Sequence, residues 1–364
     1  LLPHLQVLDE VFNALFAARS RRGAIDFEST ETKIVFSGER KIDRIVPVQR
    51  NRAHRLIEEC MIAANVESAK TVEKAKLPAL YRIHENPDAM KVKALREFLA
   101  LRGLSLAGGE KPQAGDFARV LEQARPRPDI SLVQTVLLRT LMQARYSPGN
   151  TGHFGLALTH YAHFTSPIRR YPDLLLHRAL KHSLLKRGLL RRMPKDFIYS
   201  GEQMEAFGTH CSMAERRADE ATRDVVTWLK CEYMRHRVGE EFDGTVASVA
   251  PFGLFVELDG LYVDGLVHVS SLKNDYYAYD ERARRLAGTR GGGSYGLGDR
   301  LRVKLVRVNL DERKIDLELI QSLGRGRSEP VHGREQQSPR TGQKPQQPSS
   351  RGPKKSQKPP RKRS

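Results

Sequence analysis

Residues 244–272 read GTVASVAPFGLFVELDGLYVDGLVHVSSL, and the alternation in this stretch decides the fold of the C-terminal part of the chain. Leu254, Val256 and Leu258 share one face of an extended run, so Phe255 is expected on the opposite face. A Pro-Phe-Gly break and an Asp-Gly turn divide the stretch into three short strands. The pattern therefore predicts three consecutive strands with one apolar side.

Two further strands are predicted downstream and complete a small barrel. Residues 299–320 alternate apolar and polar side chains on both sides of a turn at 309–313. Residues 273–298, between the two groups of strands, predict a loop or short helix followed by a Gly-rich linker. Five strands in about 80 residues, grouped as three and two, favour a closed OB-type barrel over residues 238–320.

Aromatic residues are candidates for the outer face of this barrel. Phe252 follows a proline at the entrance of the second strand, and Phe255 and His268 follow in the second and third strands. Exposed rings on such barrels are platforms for base stacking, each worth about 1–3 kcal/mol. The alternative is that Phe252 and Phe255 are ordinary core residues.

Residues 1–237 read mostly as helices, with one hairpin near the start. Apolar residues recur at helical spacing in AHRLIEECMIAANVESAKTVEKA, DAMKVKALREFLALRGL and SLVQTVLLRTLMQARY. The stretch AIDFESTETKIVFSGERKIDRIVPV alternates and is rich in β-branched residues, which predicts two strands joined near residues 37–38. The chain is therefore expected to belong to the α+β class.

Charge is the strongest compositional feature of this 364-residue chain, which carries a formal net charge of +19. Residues 321–364 hold twelve Lys/Arg against two Glu, so this tail accounts for ten of those charges. Its Pro, Ser and Gln content predicts disorder, and it would serve either to attract nucleic acid or as a solubilising linker. Such an excess indicates a polyanionic partner, either nucleic acid or an acidic membrane surface.

The location of the protein is also constrained by the sequence. No stretch approaches the roughly 18 uncharged apolar residues that span a bilayer, and no signal-peptide pattern precedes the first helix. Cys60, Cys211 and Cys231 are far apart and form no CxxC pair, which favours buried, reduced thiols over a disulfide or a zinc site. We therefore expect a cytoplasmic protein without a membrane partner.

The stretch TSPIRRYPDLLLHRAL places two arginines at a predicted helix start. Ser166 would cap the helix and Pro167 would take the first helical position, while Pro172 would kink the second turn. Arg169 and Arg170 are unfavourable at this electropositive end unless an anion lies between them, and a phosphate matches the guanidinium fork. The alternative partner is a carboxylate elsewhere in the protein.

This stretch resembles the signature of the ribonuclease II/ribonuclease R family, hydrolytic exoribonucleases that degrade RNA from its 3′ end. Residues 50–69, 153–178 and 211–234 also resemble segments of the catalytic domain of that family. Residues 238–320 resemble the S1 RNA-binding domain. The resemblance implies the C-terminal portion of an RNB-type catalytic domain over residues 1–237, then the S1 domain, then the basic tail from residue 321, which is the order of the ribonuclease R branch.

The family resemblance also implies roles for individual residues. Arg169 would grip phosphates near the cleavage site, with Arg170 and Tyr171 in the same motif, and Phe27 would stack on the terminal bases. Glu59 and Glu215 match acidic residues that line the end of the RNA channel, although a solvated helix face is the alternative for both. In the S1 domain, the implied RNA contacts are Phe252, Phe255, His268, Asn309 and Arg313.

The implied activity is 3′-to-5′ hydrolysis of single-stranded, and also structured, RNA to nucleoside 5′-monophosphates, carried out processively with Mg²⁺. The family binds this metal through a D-x-x-x-x-x-D-x-D-D cluster, which does not occur in this sequence and corresponds to a region before Leu1. We therefore expect a fragment of a longer protein, one that binds RNA but is inactive alone. Asp219, Glu220 and Asp224 are interpreted as surface charge, and no carboxylates or cysteines accompany the histidine group His153, His160 and His163 at metal-binding spacing.

Two alternative functions remain at this stage. The chain could be a non-catalytic S1-containing RNA-binding protein in which a degenerate nuclease domain acts as a scaffold. It could also be a ribosome-associated S1 protein, but that reading leaves the arginine motif unexplained. RNA is the expected partner in every case. The ribosome and RNA-decay factors are candidate partners of the basic tail. We expect the protein to be a monomer.

Overall fold

The structure is a computed structural model and describes residues 1–27, 31–39, 41–48, 50–190, 199–272, 275–281, 283–291 and 293–325. Helices dominate the first part of the described chain and strands the second. The predicted α+β class is therefore confirmed. The tail that the sequence predicts to be disordered lies, from residue 326 onward, outside the described residues.

The described residues form seven α-helices. In chain order they are α1 (Leu2–Arg22), α2 (Arg52–Lys74), α3 (Ala89–Ala100), α4 (Ala114–Ala124), α5 (Ile130–Thr140), α6 (Tyr171–Lys186) and α7 (Gly201–Met234).

The same part of the chain contains twelve strands. They are β1 (Thr32–Phe36), β2 (Ile42–Pro47), β3 (Tyr81–Ile83), β4 (Arg145–Ser147), β5 (Glu241–Ala250), β6 (Gly253–Leu258), β7 (Val263–His268), β8 (Tyr277–Asp280), β9 (Arg285–Gly288), β10 (Ser294–Gly296), β11 (Asp299–Asn309) and β12 (Lys314–Arg325).

The predicted elements of the helical part are largely confirmed. α2 begins after Asn51, whose side-chain oxygen accepts the backbone N–H of His54 at 3.0 Å and caps the helix. β1 and β2 pair antiparallel as the predicted hairpin. α5 ends earlier than predicted, at Thr140, because the residues that follow pair with β3 as strand β4.

The helical part is built on apolar clusters that hold its polar residues in place. α3, α4 and α5 pack around Leu99, Phe117 and Val133, all of which are fully buried. α2, β3 and α6 enclose a second cluster that includes Val72 and Leu176. Burial of each such side chain stabilises the fold by about 1.5–3 kcal/mol. These clusters therefore fix the positions of the helices and strands around the arginine motif.

The predicted five-stranded barrel is confirmed, with the closed strand order β11–β12–β7–β6–β5. Leu254 and Val256 are fully buried inside it, and Phe255 lies on the other face of β6. Gly265 lies so close to β12 that a Cβ atom there would be 2.6 Å from the Leu317 side chain. A larger residue at this position would force the two strands apart.

The predicted loop between the two groups of barrel strands is instead a three-stranded antiparallel sheet with the order β10–β9–β8. Tyr277, Tyr279 and Tyr295 pack against the barrel core, and Leu286 is fully buried there. Each of these strands has only three or four residues, so their alternation is too short to identify them in the sequence. Packing on the barrel is what stabilises them.

The end of the barrel, the cysteines and the helix lengths also bear on predictions from the sequence. β12 runs to Arg325, past the boundary of the S1 domain predicted at residue 320. Cys211 and Cys231 are buried and Cys60 is partly buried, and all three are free thiols. Among the described helices, none combines the length and the apolar character required to cross a bilayer.

Two buried histidines, His153 and His163, belong to the segment that connects β4 to α6. The His153 ring lies 5.0 Å from that of His84, and His163 Nδ1 lies 2.8 Å from the hydroxyl of Tyr146. Burial lowers the pKa of both His153 and His163 to about 3. Both rings are therefore neutral near pH 7 in the folded protein.

The buried histidines predict a specific dependence of stability on pH. The unfolded chain takes up protons on His153 near pH 6.5, whereas the folded chain does so only near pH 3, so stability falls as the pH is lowered through that window. Urea unfolding midpoints between about pH 7.5 and pH 5 should fall less steeply for His153→Gln than for the wild type. The matched control is His4→Gln on the exposed start of α1, which should keep the wild-type slope. An unchanged slope in His153→Gln would show that this ring is protonated in the folded state.

Candidate RNA-binding site

The arginine motif adopts a local structure different from the one predicted. α6 begins at Tyr171, so the helix does not start at Ser166. Instead, the backbone N–H groups of Arg169 and Arg170 donate to the carbonyl of Ser166, at 3.3 and 3.0 Å, and close a turn. Residues 166–170 are called the arginine turn below.

Because α6 begins at Tyr171 and not at Ser166, the two residues after the arginine turn lie in the first turn of this helix. Pro172 lies in the first turn of α6, where its missing N–H leaves no hydrogen bond unmade, so the predicted kink in the second turn was wrong. Tyr171 is partly exposed and its ring packs edge-to-face against Phe207 of α7, with the centroids 5.6 Å apart. RNA contact by Tyr171 stays a prediction.

One buried carboxylate fixes the arginine turn. Asp173, in the first turn of α6, is fully buried, and its Oδ1 accepts the backbone N–H of Ser166 at 2.7 Å. The same oxygen accepts Arg170 Nη2 at 2.7 Å. Because Asp173 takes the Ser166 N–H, the turn is folded back onto the start of the helix and cannot continue it.

The two arginines therefore have different surroundings. Arg170 is paired with Asp173, which is the internal carboxylate that the sequence left open as an alternative. Arg169 is exposed and lies within 4.0 Å of no carboxylate among the described residues. Ile168 beside it is also completely exposed. The turn thus presents a guanidinium and an apolar side chain to solvent, and the guanidinium matches the geometry of a phosphate.

Glu215 is connected to this turn through a chain of side chains. It lies on α7 and forms a two-pronged ion pair with Arg82 of β3, with nitrogen–oxygen distances of 2.5 and 3.1 Å. The Arg82 guanidinium carbon lies 4.7 Å from the centroid of the Tyr146 ring. Tyr146 in turn is hydrogen-bonded to His163, three residues before the arginine turn.

Glu59 is a buried member of an ion pair. It lies on α2, is 5% exposed, and its Oε1 accepts Nη1 of the buried Arg19 from α1 at 2.8 Å. Asp26 and Glu58 lie 3.4 and 3.5 Å from the same guanidinium at its more exposed side. The solvated-face alternative is therefore wrong for Glu59, because its carboxylate is enclosed and its charge is balanced by Arg19.

Asn65 links α2 to the segment before the arginine turn. Its Nδ2 donates to the Tyr161 hydroxyl at 3.2 Å, and its Oδ1 accepts the backbone N–H of Phe164 at 2.9 Å. Burial raises the pKa of Tyr161, and the charge of Glu58 adds to that increase. The structure thus brings Glu58 of α2, the Arg82–Glu215 pair and the arginine turn together around one polar centre.

Phe27 lies beside this centre, in the segment after α1. Its ring is partly buried and packs against the core of α3, α4 and α5. The nearby Ile25 N–H donates to the Gly155 carbonyl at 2.9 Å and ties the segment to the loop that leads to the arginine turn. Stacking of Phe27 on RNA bases stays a prediction, since part of its surface is already used in the core.

The barrel brings Phe252, Phe255 and His268 together. Phe252 is 50% exposed, and its ring lies edge-to-face with that of Phe255 at a centroid distance of 5.9 Å. His268 is exposed at the end of β7, opposite Gly253 of β6. Phe252 is not a core residue, and Phe255 is only partly buried on the outer face, so the alternative of two ordinary core residues is wrong.

Asn309 is the last residue of β11, and Arg313 lies in the turn between β11 and β12. The Asn309 side-chain oxygen accepts the backbone N–H groups of Asp311 and Glu312, both at 3.1 Å, so it shapes the turn. Arg313 forms an ion pair at 3.2 Å with Asp224 of α7, and both side chains are largely exposed. Such an exposed pair contributes little stability, so it leaves Arg313 available for the predicted RNA contact.

The sequence did not identify Arg19, Arg82 and Asp173 as parts of this site. Asp173 had a recognisable signal, because a carboxylate three residues after an arginine pair is in reach of it. Arg19 and Arg82 had none, since their partners are 40 and 133 residues away. Only the packing of α1 on α2 and of β3 against α7 creates those pairs.

The resemblance implies a magnesium ion, which requires clustered carboxylates. Among the described residues, no group of three or more His, Cys, Asp or Glu is arranged to hold a metal ion. The carboxylates around the arginine turn are engaged with Arg19 and Arg82, and Asp219, Glu220 and Asp224 are exposed on α7. The described residues therefore do not fit a magnesium site of the kind that the resemblance implies.

Comparison with known proteins agrees with the two-part organisation. The RNB domain profile matches residues 2–186 and the S1 RNA binding domain profile matches residues 235–320. Ribonuclease R of Escherichia coli strain K12 is 54% identical over 325 residues. That alignment covers 88% of this chain but 40% of the relative, so the chain spans less than half the length of this relative.

Solved structures show the same fold. The apo form of Mycoplasma genitalium RNase R superposes with a TM-score of 0.81 at 27% identity, and its complex with ribose-methylated single-stranded RNA with a TM-score of 0.80 at 26% identity. Each superposition covers 88% of this chain and 50% of the other chain. Since the RNB profile also spans half of the residues of the chain, and an S1 barrel follows it, this chain belongs to the RNB family.

Proposed function

We propose that this chain is the RNA-gripping part of a 3′-to-5′ exoribonuclease that hydrolyses RNA. The observation that carries the proposal is the arginine turn, where Arg169 is held out to solvent while Arg170 and Asp173 keep the backbone fixed. The Arg169 guanidinium has no carboxylate within 4.0 Å among the described residues, so binding a phosphate would break no ion pair there. The similarity to ribonuclease R proteins, one of them solved with single-stranded RNA, supports RNA as the substrate.

In this proposal the residues of the chain bind and position the substrate. Arg169 binds a phosphate near the scissile bond, and Ile168 beside it keeps that side of the turn apolar. The Arg82–Glu215 and Arg19–Glu59 pairs hold α7, β3, α1 and α2 around the 3′ end of the RNA. Their carboxylates are neutralised by arginines and therefore do not repel the polyanion.

The S1 barrel holds a more distant part of the same RNA strand. Phe252 and Phe255 provide exposed ring surface for stacking, and His268 lies at the same end of the sheet. Stacking does not depend on base identity, which suits an enzyme that degrades RNA of any sequence. Two separate contact regions on one strand also support processive degradation, and nucleoside 5′-monophosphates remain the products that the resemblance implies.

Mg²⁺ remains part of the proposal, with ligands that the resemblance assigns to a region before Leu1. The described residues of this chain bind and position RNA and do not themselves form a metal site. The cytoplasmic location, the monomeric state and the contacts of the basic tail with the ribosome or RNA-decay factors also remain predictions.

A second function is favoured by one specific observation. Because the described residues hold no metal-binding group, this chain by itself would act as an RNA-binding module and cut little or no RNA.

To test this, the longer protein that we propose and the 364-residue chain are incubated in parallel with 3′-labelled RNA and Mg²⁺. Release of labelled monophosphates by the longer protein only, with circular RNA of the same sequence left intact, is the expected result. Degradation of the circular RNA would contradict an exonuclease.

Arg169→Ala should separate catalysis from binding in the longer protein. We expect turnover to fall by about 100-fold or more, because preorganised charge at a reacting phosphate is usually worth that much. Affinity for RNA should fall far less, since the other contacts remain. The matched control is Arg187→Ala, an exposed arginine directly after α6, which should leave both quantities unchanged. Equal losses of turnover and affinity would assign Arg169 to binding alone.

Arg170→Ala should instead unfold the site. Asp173 is fully buried, so removal of its arginine leaves an unpaired buried charge and should lower the free energy of unfolding by about 3–5 kcal/mol. Urea unfolding measures this loss directly. Arg169→Ala, which removes an exposed side chain from the same turn, should change the free energy of unfolding by about 0.5 kcal/mol or less. Similar stability of the two variants would show that the Asp173 pair does not hold the turn.

Phe252→Ala should weaken RNA binding through the loss of stacking. The expected loss is about 1–3 kcal/mol, or roughly a 5- to 150-fold rise in Kd, measured by fluorescence anisotropy with a labelled single strand. Tyr276→Ala is the matched control, because Tyr276 is a highly exposed aromatic residue outside the proposed face. An equal effect of both substitutions would remove the case for a specific stacking face.

A further inference from the structure

Two arginines from different parts of the fold reach across the region where the helical part contacts the barrel. Arg139 lies on α5, and its Nη2 donates to the hydroxyl of Ser248 on β5 at 3.3 Å. A side chain of the helical part therefore reaches the surface of the barrel. Arg139 is exposed, so its remaining N–H groups are open to solvent.

The second arginine reaches in the opposite direction. Arg284 lies between β8 and β9, and its guanidinium carbon is 5.8 Å from the centroid of the Phe98 ring on α3. Its φ of 51° is in the left-handed region, which is unfavourable for a residue with a side chain. Backbone strain of this kind persists only where the surrounding structure imposes it. Here it directs the Arg284 side chain from the small sheet of the barrel toward α3.

The charges of this pair are not balanced. Neither Arg139 nor Arg284 has a carboxylate within 4.0 Å in the part of the chain that the structure describes. Burial lowers the pKa of Arg284, and the charge of Arg139 lowers it further. The exposed Glu281 in the same turn acts in the other direction but more weakly than Arg139. A guanidinium that is partly removed from water, as that of Arg284 is, is unfavourable beside a second cation unless an anion is present.

The surroundings indicate which anion fits. Phe98 is only 3% exposed, so the ring beside Arg284 offers no surface on which a base could stack. The nearby hydroxyl of Ser248 and the guanidinium forks suit phosphate oxygens. The chain as a whole is strongly positive, which favours a polyanion over an acidic side chain of a protein partner.

We propose that Arg139 and Arg284 together hold one backbone phosphate of an RNA strand that passes between α5 and the barrel. This inference rests on the proposed function, since it adds a contact for the same substrate. The contact is independent of sequence, and it lies on residues other than the arginine turn and the exposed aromatic face. It would fix the path of the strand at the junction of the two parts of the fold.

A double-mutant cycle tests the proposal. Arg139→Gln, Arg284→Gln and the double variant of the 364-residue chain are compared in Kd for a fluorescent single-stranded RNA at several salt concentrations. Each single variant should bind about 5- to 10-fold more weakly, and the slope of log K against log salt should become shallower by about 0.7 for one lost phosphate contact. Because both arginines hold the same phosphate, the double variant should be little weaker than either single one.

The control variant is Arg187→Gln, which removes one exposed positive charge elsewhere. If Arg139→Gln and Arg284→Gln act no more strongly than this control, or if their effects simply add, the shared phosphate site is refuted. Binding of inorganic phosphate is measured for the same variants. If Arg139→Gln and Arg284→Gln lose phosphate binding but keep the wild-type Kd for RNA, the assignment to RNA is overturned. If the wild-type chain binds no RNA at all, the proposed function fails instead, so the two failures are distinguishable. Circular dichroism of each variant confirms that it is folded.

Discussion

The carboxylate of Asp173 is the constraint on which the site depends. It is fully buried, and one of its oxygens binds both the Ser166 N–H and the Arg170 guanidinium. A buried carboxylate is costly unless its hydrogen bonds are made, so both contacts are enforced once α6 packs into the core. Their effect is to direct the remaining arginine, Arg169, outward. A single buried acidic group thus converts two adjacent arginines into one that holds the structure and one that is exposed for an anion.

The same separation of charge extends through the site. Glu59 and Glu215 are each paired with an arginine that comes from a distant part of the chain. The acidic groups are neutralised within the fold, whereas Arg169 is left at the surface without an acidic partner among the described residues. A surface of this kind attracts a polyanion without first having to break internal ion pairs, and salt would weaken that attraction.

The barrel is connected to the helical part by more than the chain itself. Ile45 of the β1–β2 hairpin and Cys231 and Met234 of α7 are buried in the same apolar cluster as the barrel core. The Arg313–Asp224 pair and the Arg139–Ser248 hydrogen bond add polar contacts around this apolar contact. The aromatic face and the arginine turn are therefore held on one scaffold, as the proposed binding of both to a single strand requires.

Local patterns in the sequence determined much of this protein. The alternation around Leu254 predicts strands of the barrel, and helical spacing predicts α2. The short stretch around Arg169 indicates the family. Each of these signals lies within a few consecutive residues, so it can be recognised in the sequence alone. The sequence misplaced the start of α6, because a Ser-Pro pair resembles a helix cap whether or not its N–H is taken by a distant side chain. It also missed the small sheet that holds Arg284, whose strands are stable only when packed on the barrel.

Tertiary structure alone decided how charged residues from distant segments are paired. Arg19 and Glu59 are 40 residues apart, and Arg82 and Glu215 are 133 residues apart, so no local pattern could join them. An ion pair forms where packing of apolar faces brings two side chains together and excludes water from them, and that depends on the whole fold. The sequence therefore determined the elements and the type of chemistry, and the packing of those elements determined which arginine is exposed.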